Sequence, residues 1–419
     1  MLLPCVLLKQ TASVGLFVKA GSRFDTTPGV SCALQRLAFS STQRRSAVKL
    51  ARDFEEMGAS VSAKAGREVF ALTGESLRDG AFFLTDSLVE SATELKLLPW
   101  EVSEALHELE TVVSLQSSDP VTAVTESVHA AAFGALSPLG RSMIATSEEL
   151  HDIDPEAIRT FLGGHFFGSN IVLSATNVDH KDLVRLAENA LGSVQKGSAA
   201  SSPKAVVIGG ESLIRSDTGG IAHVALALPA PSQSSAHYHA LGVLQTLLGG
   251  ISARGPPGHA RPGYQRQSRI STAVKTEAHS FIRSVTSFAF PYSDAGILGI
   301  AGTVEDKDAG KFVSSAIALL KEVVSKPPTA AELERAKRAY KLAYLNDVEG
   351  RSGARDETAT AILLGRSTGV AATLKSIDAV SAEQVVSIVK TALAGSPAIS
   401  ATGSLSTIPR YDVLSNLLK

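Results

Sequence analysis

Cys32, Gln35 and Arg36 stand at positions i, i+3 and i+4 of an apolar stretch, Gly29 to Phe39, in which Leu34, Leu37 and Ala38 recur at helical spacing. Pro28-Gly29 signals a turn just ahead of it. On a helix the three side chains share one face. Filled as His-x-x-Glu-His, such a face would offer two imidazoles to a zinc ion and a carboxylate to take a proton from its bound water. Filled as it is here, it would not. Gln35 is an amide that takes no proton at neutral pH, and Arg36 is permanently charged with no lone pair to give. At about 4 Å and an effective dielectric near 20, Arg36 would oppose each unit of metal charge by about 4 kcal/mol. One thiolate from Cys32 does not complete a set of about three ligands. The spacing of a hydrolytic metal site is present without its chemistry. The expectation is a core helix with polar residues at its edge, no catalytic residue, no metal and no cofactor.

The elements around this helix follow from pattern. Val14 to Ala20 reads as a buried strand leading to it through Thr26-Thr27-Pro28-Gly29. Ser46 is a helix cap ahead of Val48, Ala51, Phe54 and Met57, with Gly58 as the stop. Ala59–Lys64 and Glu68–Thr73 suit a hairpin turning at Ala65-Gly66-Arg67. Arg78 to Thr93 reads as a helix with Phe82, Phe83 and Leu88 inward. Pro99-Trp100 opens a long helix burying Val102, Leu106, Leu109 and Val113, with the single tryptophan as a packing residue. Glu101, Glu104 and Glu108 share another side of it. Asp119-Pro120 breaks it. A helix from about Asp154 to Phe166, a strand over Asn170–Ala175 and a helix over His180–Leu191 follow.

Leu16–Phe24, Gly29–Thr42, Val128–Phe133 and Ser137–Arg141 together resemble the pitrilysin/insulinase family of metallopeptidases. The first is similar to that family's first core strand and turn, the second to its signature helix. The resemblance covers nearly the whole chain from about Val14. It implies that Glu108, in His107-Glu-Leu-Glu110, occupies the place of the distal glutamate that completes the metal site in active members, and that Glu101 matches a second acidic position two turns earlier. Cys32, Gln35, Arg36 and Glu108 are then vestigial zinc-site positions, and Glu108 is expected to pair with Arg36. The pattern is most similar to members of the family that have no peptidase activity and serve as structural subunits in the respiratory chain. That implies core protein 1, cytochrome b, cytochrome c1 and an iron–sulfur protein as partners, on the matrix side of the mitochondrial inner membrane and without spanning it. A substrate-binding subunit of a presequence-processing peptidase is the alternative. The family also has a presequence and one further strand ahead of Val14; Met1–Leu8 lacks the Arg- and Ser-rich character of a presequence, and no targeting is read from it.

The second half of the chain echoes the first. Ile171–Asn177 matches Ala398–Gly403, Val69–Gly74 matches Gly296–Gly302, Ser103–Glu108 matches Glu332–Lys337, and Ala130–Gly134 matches Ala361–Gly365, all at a shift of roughly 225–232 residues. This predicts a duplicated α+β unit, each half a mixed sheet with helices packed on it. The small, polar, Pro-punctuated Gly197–Pro203 is the linker, which divides the chain into residues 1–196, a linker over 197–210, and residues 211–419.

The rest narrows the function. A net charge of -1 gives no reason to expect nucleic acid. Two cysteines, Cys5 and Cys32, exclude a disulfide framework, a Cys-rich zinc module and an iron–sulfur or c-type haem motif. No apolar run approaches the 18 residues of a membrane span. The stretch 249–275 is dense in Gly and Pro and carries Arg254, Arg261, Arg266, Arg269 and Lys275 without an acidic residue. It reads as a basic loop suited to an acidic surface or anionic headgroups rather than to cationic presequences. Pro409–Asp412 reads as a tail strand or docking segment.

Overall fold

The computed structural model describes residues 10–117, 119–143, 145–192, 194, 196–197, 202–216, 219–251, 268–274, 281–366 and 369–418. In chain order the described residues form β1 (Thr11–Val18), α1 (Val30–Leu37), α2 (Ala47–Glu56), β2 (Ser60–Ala65), β3 (Phe70–Leu77), α3 (Ala81–Thr93), α4 (Pro99–Ser117) and α5 (Pro120–Phe133). Next come α6 (Ser147–His151), α7 (Pro155–His165), β4 (Ile171–Thr176), α8 (His180–Leu191), β5 (Gly210–Arg215), β6 (Ile221–Pro229), α9 (Tyr238–Leu248), β7 (Gly250–Ile251) and α10 (Arg269–Val274). The chain ends through β8 (Ile282–Pro291), β9 (Gly296–Glu305), α11 (Ala309–Ser325), α12 (Ala330–Glu349), α13 (Arg351–Leu363), α14 (Val370–Asp378), α15 (Ala382–Leu393), β10 (Ala398–Gly403) and α16 (Tyr411–Leu418).

These elements make two compact units, each from separate stretches of chain. One holds Met1–Leu115, Met143–Pro203 and Asn346–Thr368; the other holds Gln116–Ser142, Lys204–Leu345 and Gly369–Lys419. Helix α5 therefore belongs with the second sheet and α13 with the first, so the units are not cut at one point in the chain.

In the first unit the strand order is β2-β3-β1-β4, all neighbours antiparallel. Alternation along β1 sends Ala12, Val14, Leu16 and Val18 into the core with α1, α3 and α4. Ser13 and Gly15 face the other way, toward α13. There the buried Arg355 donates from Nη1 to Ser13 Oγ at 2.6 Å. A Cβ on Gly15 would lie 2.5 Å from Phe17 Cε2 and 2.9 Å from Arg355 Cδ, so both side chains close over this position.

In the second unit the order is β5-β10-β6-β9-β8-β7. Its inner four strands, read as β8-β9-β6-β10, reproduce β2-β3-β1-β4. Ala222, Val224, Leu226 and Leu228 of β6 face α9, α11 and α15, while Ala225 and Ala227 face α5. Each sheet thus carries a layer of helices on one face and a single helix on the other. The echoed sequences fall on matching elements: β4 with β10, β3 with β9, α4 with α12, and α5 with α13. The α+β architecture is as expected.

Several local expectations change. The first strand runs over Thr11–Val18 rather than from Val14. Trp100 is 66% exposed, because the apolar side of α4 is supplied by Val102, Leu109 and Val113 and the indole lies off that stripe. Phe82 is 57% exposed rather than inward, and Phe83 lies half-buried under the Arg45 guanidinium, 4.7 Å from its ring centre. Tyr411–Leu418 is a helix, so Pro409–Asp412 leads into α16 and not into a strand. Of the basic stretch, Arg254, Arg261, Arg266 and Lys275 lie outside the described residues. Arg269 is no free loop cation: on α10 it donates to the Lys326 carbonyl at 2.8 Å and pairs with Glu332 at 3.3 Å.

Candidate functional site

Helix α1 is set by its start. Gly29 has φ +86, in the left-handed region, and a Cβ there would meet Ala145 Cβ at 2.3 Å. The Asp25 carboxylate accepts from the Gly29 and Ser31 amides, each at 3.2 Å, and from Ser31 Oγ at 3.0 Å. It caps the helix where the backbone dipole favours an anion. Val30, Ala33, Leu34 and Leu37 are buried; each larger one contributes about 1.5–3 kcal/mol over exposure. This leaves Gln35 half-buried and Arg36 exposed at the edge of the helix, with Cys32 partly buried against the core.

Gln35 and Arg36 are each engaged by a partner. Gln35 Oε1 accepts from the Ala65 amide at 2.9 Å, tying α1 to the end of the edge strand β2. Arg36 Nη1 lies 3.8 Å from Glu108 Oε2, with side chains 42% and 58% exposed. That is the expected pair, and it brings α1 and α4 side chains together. Burial and, after it, the Asp25 carboxylate push the Cys32 thiol up, against a smaller opposing effect of Arg36. The thiol is therefore protonated at neutral pH and is neither a ready ligand nor a nucleophile. Glu101 is also engaged, accepting from the Ser41 amide at 3.3 Å and from Ser41 Oγ.

The zinc that such a helix carries in active members does not fit these residues. A metal here would face a protonated thiol, an amide oxygen already bound to a backbone N–H, and a guanidinium paired with Glu108. Among the described residues no group of three or more His, Cys, Asp or Glu side chains could hold a metal ion. No hydrolytic step can be written for this arrangement.

A second polar cluster, in the same unit, was not expected from sequence. Glu90 of α3 has no solvent exposure and accepts from Arg45 Nε at 2.9 Å and from Thr42 Oγ1. Arg44 adds pairs to Asp86 and Glu94 at 3.2 and 2.9 Å, and Arg45 reaches Asp53 at 3.4 Å. Burial alone would raise the Glu90 carboxyl; the bonds from Arg45 and Thr42 and the charges of Arg45 and Arg44 outweigh it and hold it below the usual range. The only signals were Arg44-Arg45 just before the Ser46 cap and a glutamate inside Leu88-Val89-Glu90-Ser91-Ala92.

The chain belongs to the insulinase family of peptidases, peptidase family M16. Residues 7–147 match the family described as Insulinase (Peptidase family M16), and residues 152–340 match the Peptidase M16 inactive domain. Among its relatives, the mitochondrial-processing peptidase subunit alpha of Solanum tuberosum is 30% identical over 98% of this chain and 81% of that one. The cytochrome b-c1 complex subunit 2 of Cryptococcus neoformans is 31% identical over 96% of this chain and 89% of that one; the rat protein of that name is 29% identical over 96% and 87%. A chain of the solved Complex III2 from Candida albicans, Inz-5 bound, superposes with a TM-score of 0.83 over 99% of this chain and 95% of that one; at 21% identity this likeness establishes the fold.

Proposed function

We propose that the chain is a non-catalytic core subunit of mitochondrial complex III, in the position of cytochrome b-c1 complex subunit 2. It contributes shape and contact area to the assembly rather than chemistry. The observation that carries this reading is the state of α1. In a family defined by a zinc helix, Gln35 is spent on the Ala65 amide, Arg36 on Glu108, and the Cys32 thiol is held protonated. The match to the inactive M16 domain and the subunit 2 relatives point the same way. On this reading Cys32, Gln35, Arg36 and Glu108 are relics of a zinc site. The partners are core protein 1, cytochrome b, cytochrome c1 and the iron–sulfur protein, on the matrix side of the inner membrane. No helix among the described residues is long and apolar enough to cross a membrane, which fits peripheral attachment.

The second reading, a substrate-binding alpha subunit of the processing peptidase, is favoured by the potato relative. Presequence peptides separate the two. The core-subunit reading predicts no saturable binding of a labelled, Arg-rich presequence to the purified chain at micromolar concentration. Tight, saturable binding would favour the peptidase subunit.

A further inference from the structure

Strand β5 closes one edge of the six-stranded sheet. It runs parallel to β10, pairing Glu211 with Ile399, Leu213 with Ala401 and Arg215 with Gly403. One row of its backbone N–H and C=O groups therefore faces outward, a template for another strand. Proteins blunt such edges with charge, and like charges along an edge repel a second copy of it. Here the edge is charged in the opposite sense. Glu211, Leu213 and Arg215 alternate onto one face, and all three are exposed, Leu213 by 41%. Just before the strand, Ala205 and Val207 pack inward while Val206 and Ile208 are exposed by 63% and 58%.

We propose that β5 is a self-association edge whose occupant is β5 of a second copy of this chain, antiparallel about a two-fold axis at Leu213. In that register Glu211 faces Arg215 of the second copy, Arg215 faces its Glu211, and the two Leu213 side chains meet on the axis. On the other face Ser212 stands opposite Ile214, which is neutral to the pairing. A parallel arrangement would set like charges against each other, so the charge order selects the antiparallel one. The contact is isologous and closes on itself. Backbone bonds between edges supply the adhesion and the side-chain pairs the register. Val206 and Ile208, beside the edge, add apolar area.

Sedimentation velocity of the full chain over a concentration series tests it. The wild type is expected to dimerise, more weakly as salt rises. Glu211→Arg or Arg215→Glu alone, each placing like charges face to face twice, weakens the dimer by about tenfold or more. The double reversal Glu211→Arg/Arg215→Glu restores it, which a merely misfolded variant cannot do. With Cys5 and Cys32 changed to Ser, Leu213→Cys should give a disulfide-linked dimer on mild oxidation. A wild type that stays monomeric at tens of micromolar overturns the proposal. So does a dimer indifferent to the single reversals.

Discussion

Arg36 and Glu108 are opposite charges in contact, yet both side chains stand largely in water, and an exposed pair of this kind contributes about 0–1 kcal/mol. Gln35 is the more consequential residue, because its amide oxygen satisfies a backbone N–H at the end of β2. Gln35→Leu should therefore cost about 1–2 kcal/mol of stability and Arg36→Ala under 1 kcal/mol, measured by denaturant unfolding. Equal costs would contradict the roles given to them. The wild-type chain should retain only traces of zinc after dialysis. Cys32→His/Gln35→Glu/Arg36→His, with Glu108 in place, should bind about one zinc per chain, read by elemental analysis. Stoichiometric zinc in the wild type would contradict the loss of the site. This face was legible from residue types at i, i+3 and i+4, since a missing base or a fixed cation needs no coordinates to be recognised. The Arg36–Glu108 pair was legible only through the family resemblance, because nothing local links residues separated by most of a domain.

At the scale of elements, amphipathic helices with caps were readable: Ser46 accepts from the Lys49 amide as α2 begins, and α8 spans His180–Leu191 as the pattern predicts. Trp100 and Phe82 were not, because exposure depends on which neighbours cover a side chain, and residue type does not carry that. Glu90 was hidden for a related reason. A carboxylate on the buried side of α3 is tolerable only because Arg45 and Thr42 arrive from a loop far back in the chain. Breaking a buried pair by removing one partner strands a charge, so Arg45→Met should destabilise the first unit by about 3–5 kcal/mol. The pH dependence follows in sign. The Glu90 carboxyl is held below its unfolded value, so its contribution is complete above that value and lost as pH falls through the folded one. Wild-type stability should drop steeply on acidification below about pH 4.5, and Glu90→Gln should flatten that drop in urea titrations. An unchanged acid limb would contradict the role of Glu90.

At the scale of the whole molecule, the repeat seen in sequence is a repeat of topology, since the inner strands of the second sheet reproduce the order of the first. What the repeat concealed is the exchange. Echoing Ala130–Gly134 and Ala361–Gly365 mark two helices, α5 and α13, that each pack with the unit built mainly from the other half of the chain. A linker near residue 200 is visible as composition, whereas membership of a packed unit is decided by long-range contacts. A fragment of residues 1–203 lacks α13 and should leave that face of its sheet open, binding ANS and unfolding without a cooperative transition. A sharp, reversible melt of the fragment alone would contradict the exchange. On the proposed function, this peptidase-family chain has become a structural part of a respiratory complex. Affinity capture of the tagged full chain from gently solubilised mitochondrial membranes, with quantitative mass spectrometry of the recovered proteins, tests it most directly. Near-equal recovery of core protein 1 and the cytochrome subunits is expected. Recovery instead in a soluble pair with a relative bearing an intact His-x-x-Glu-His would contradict it.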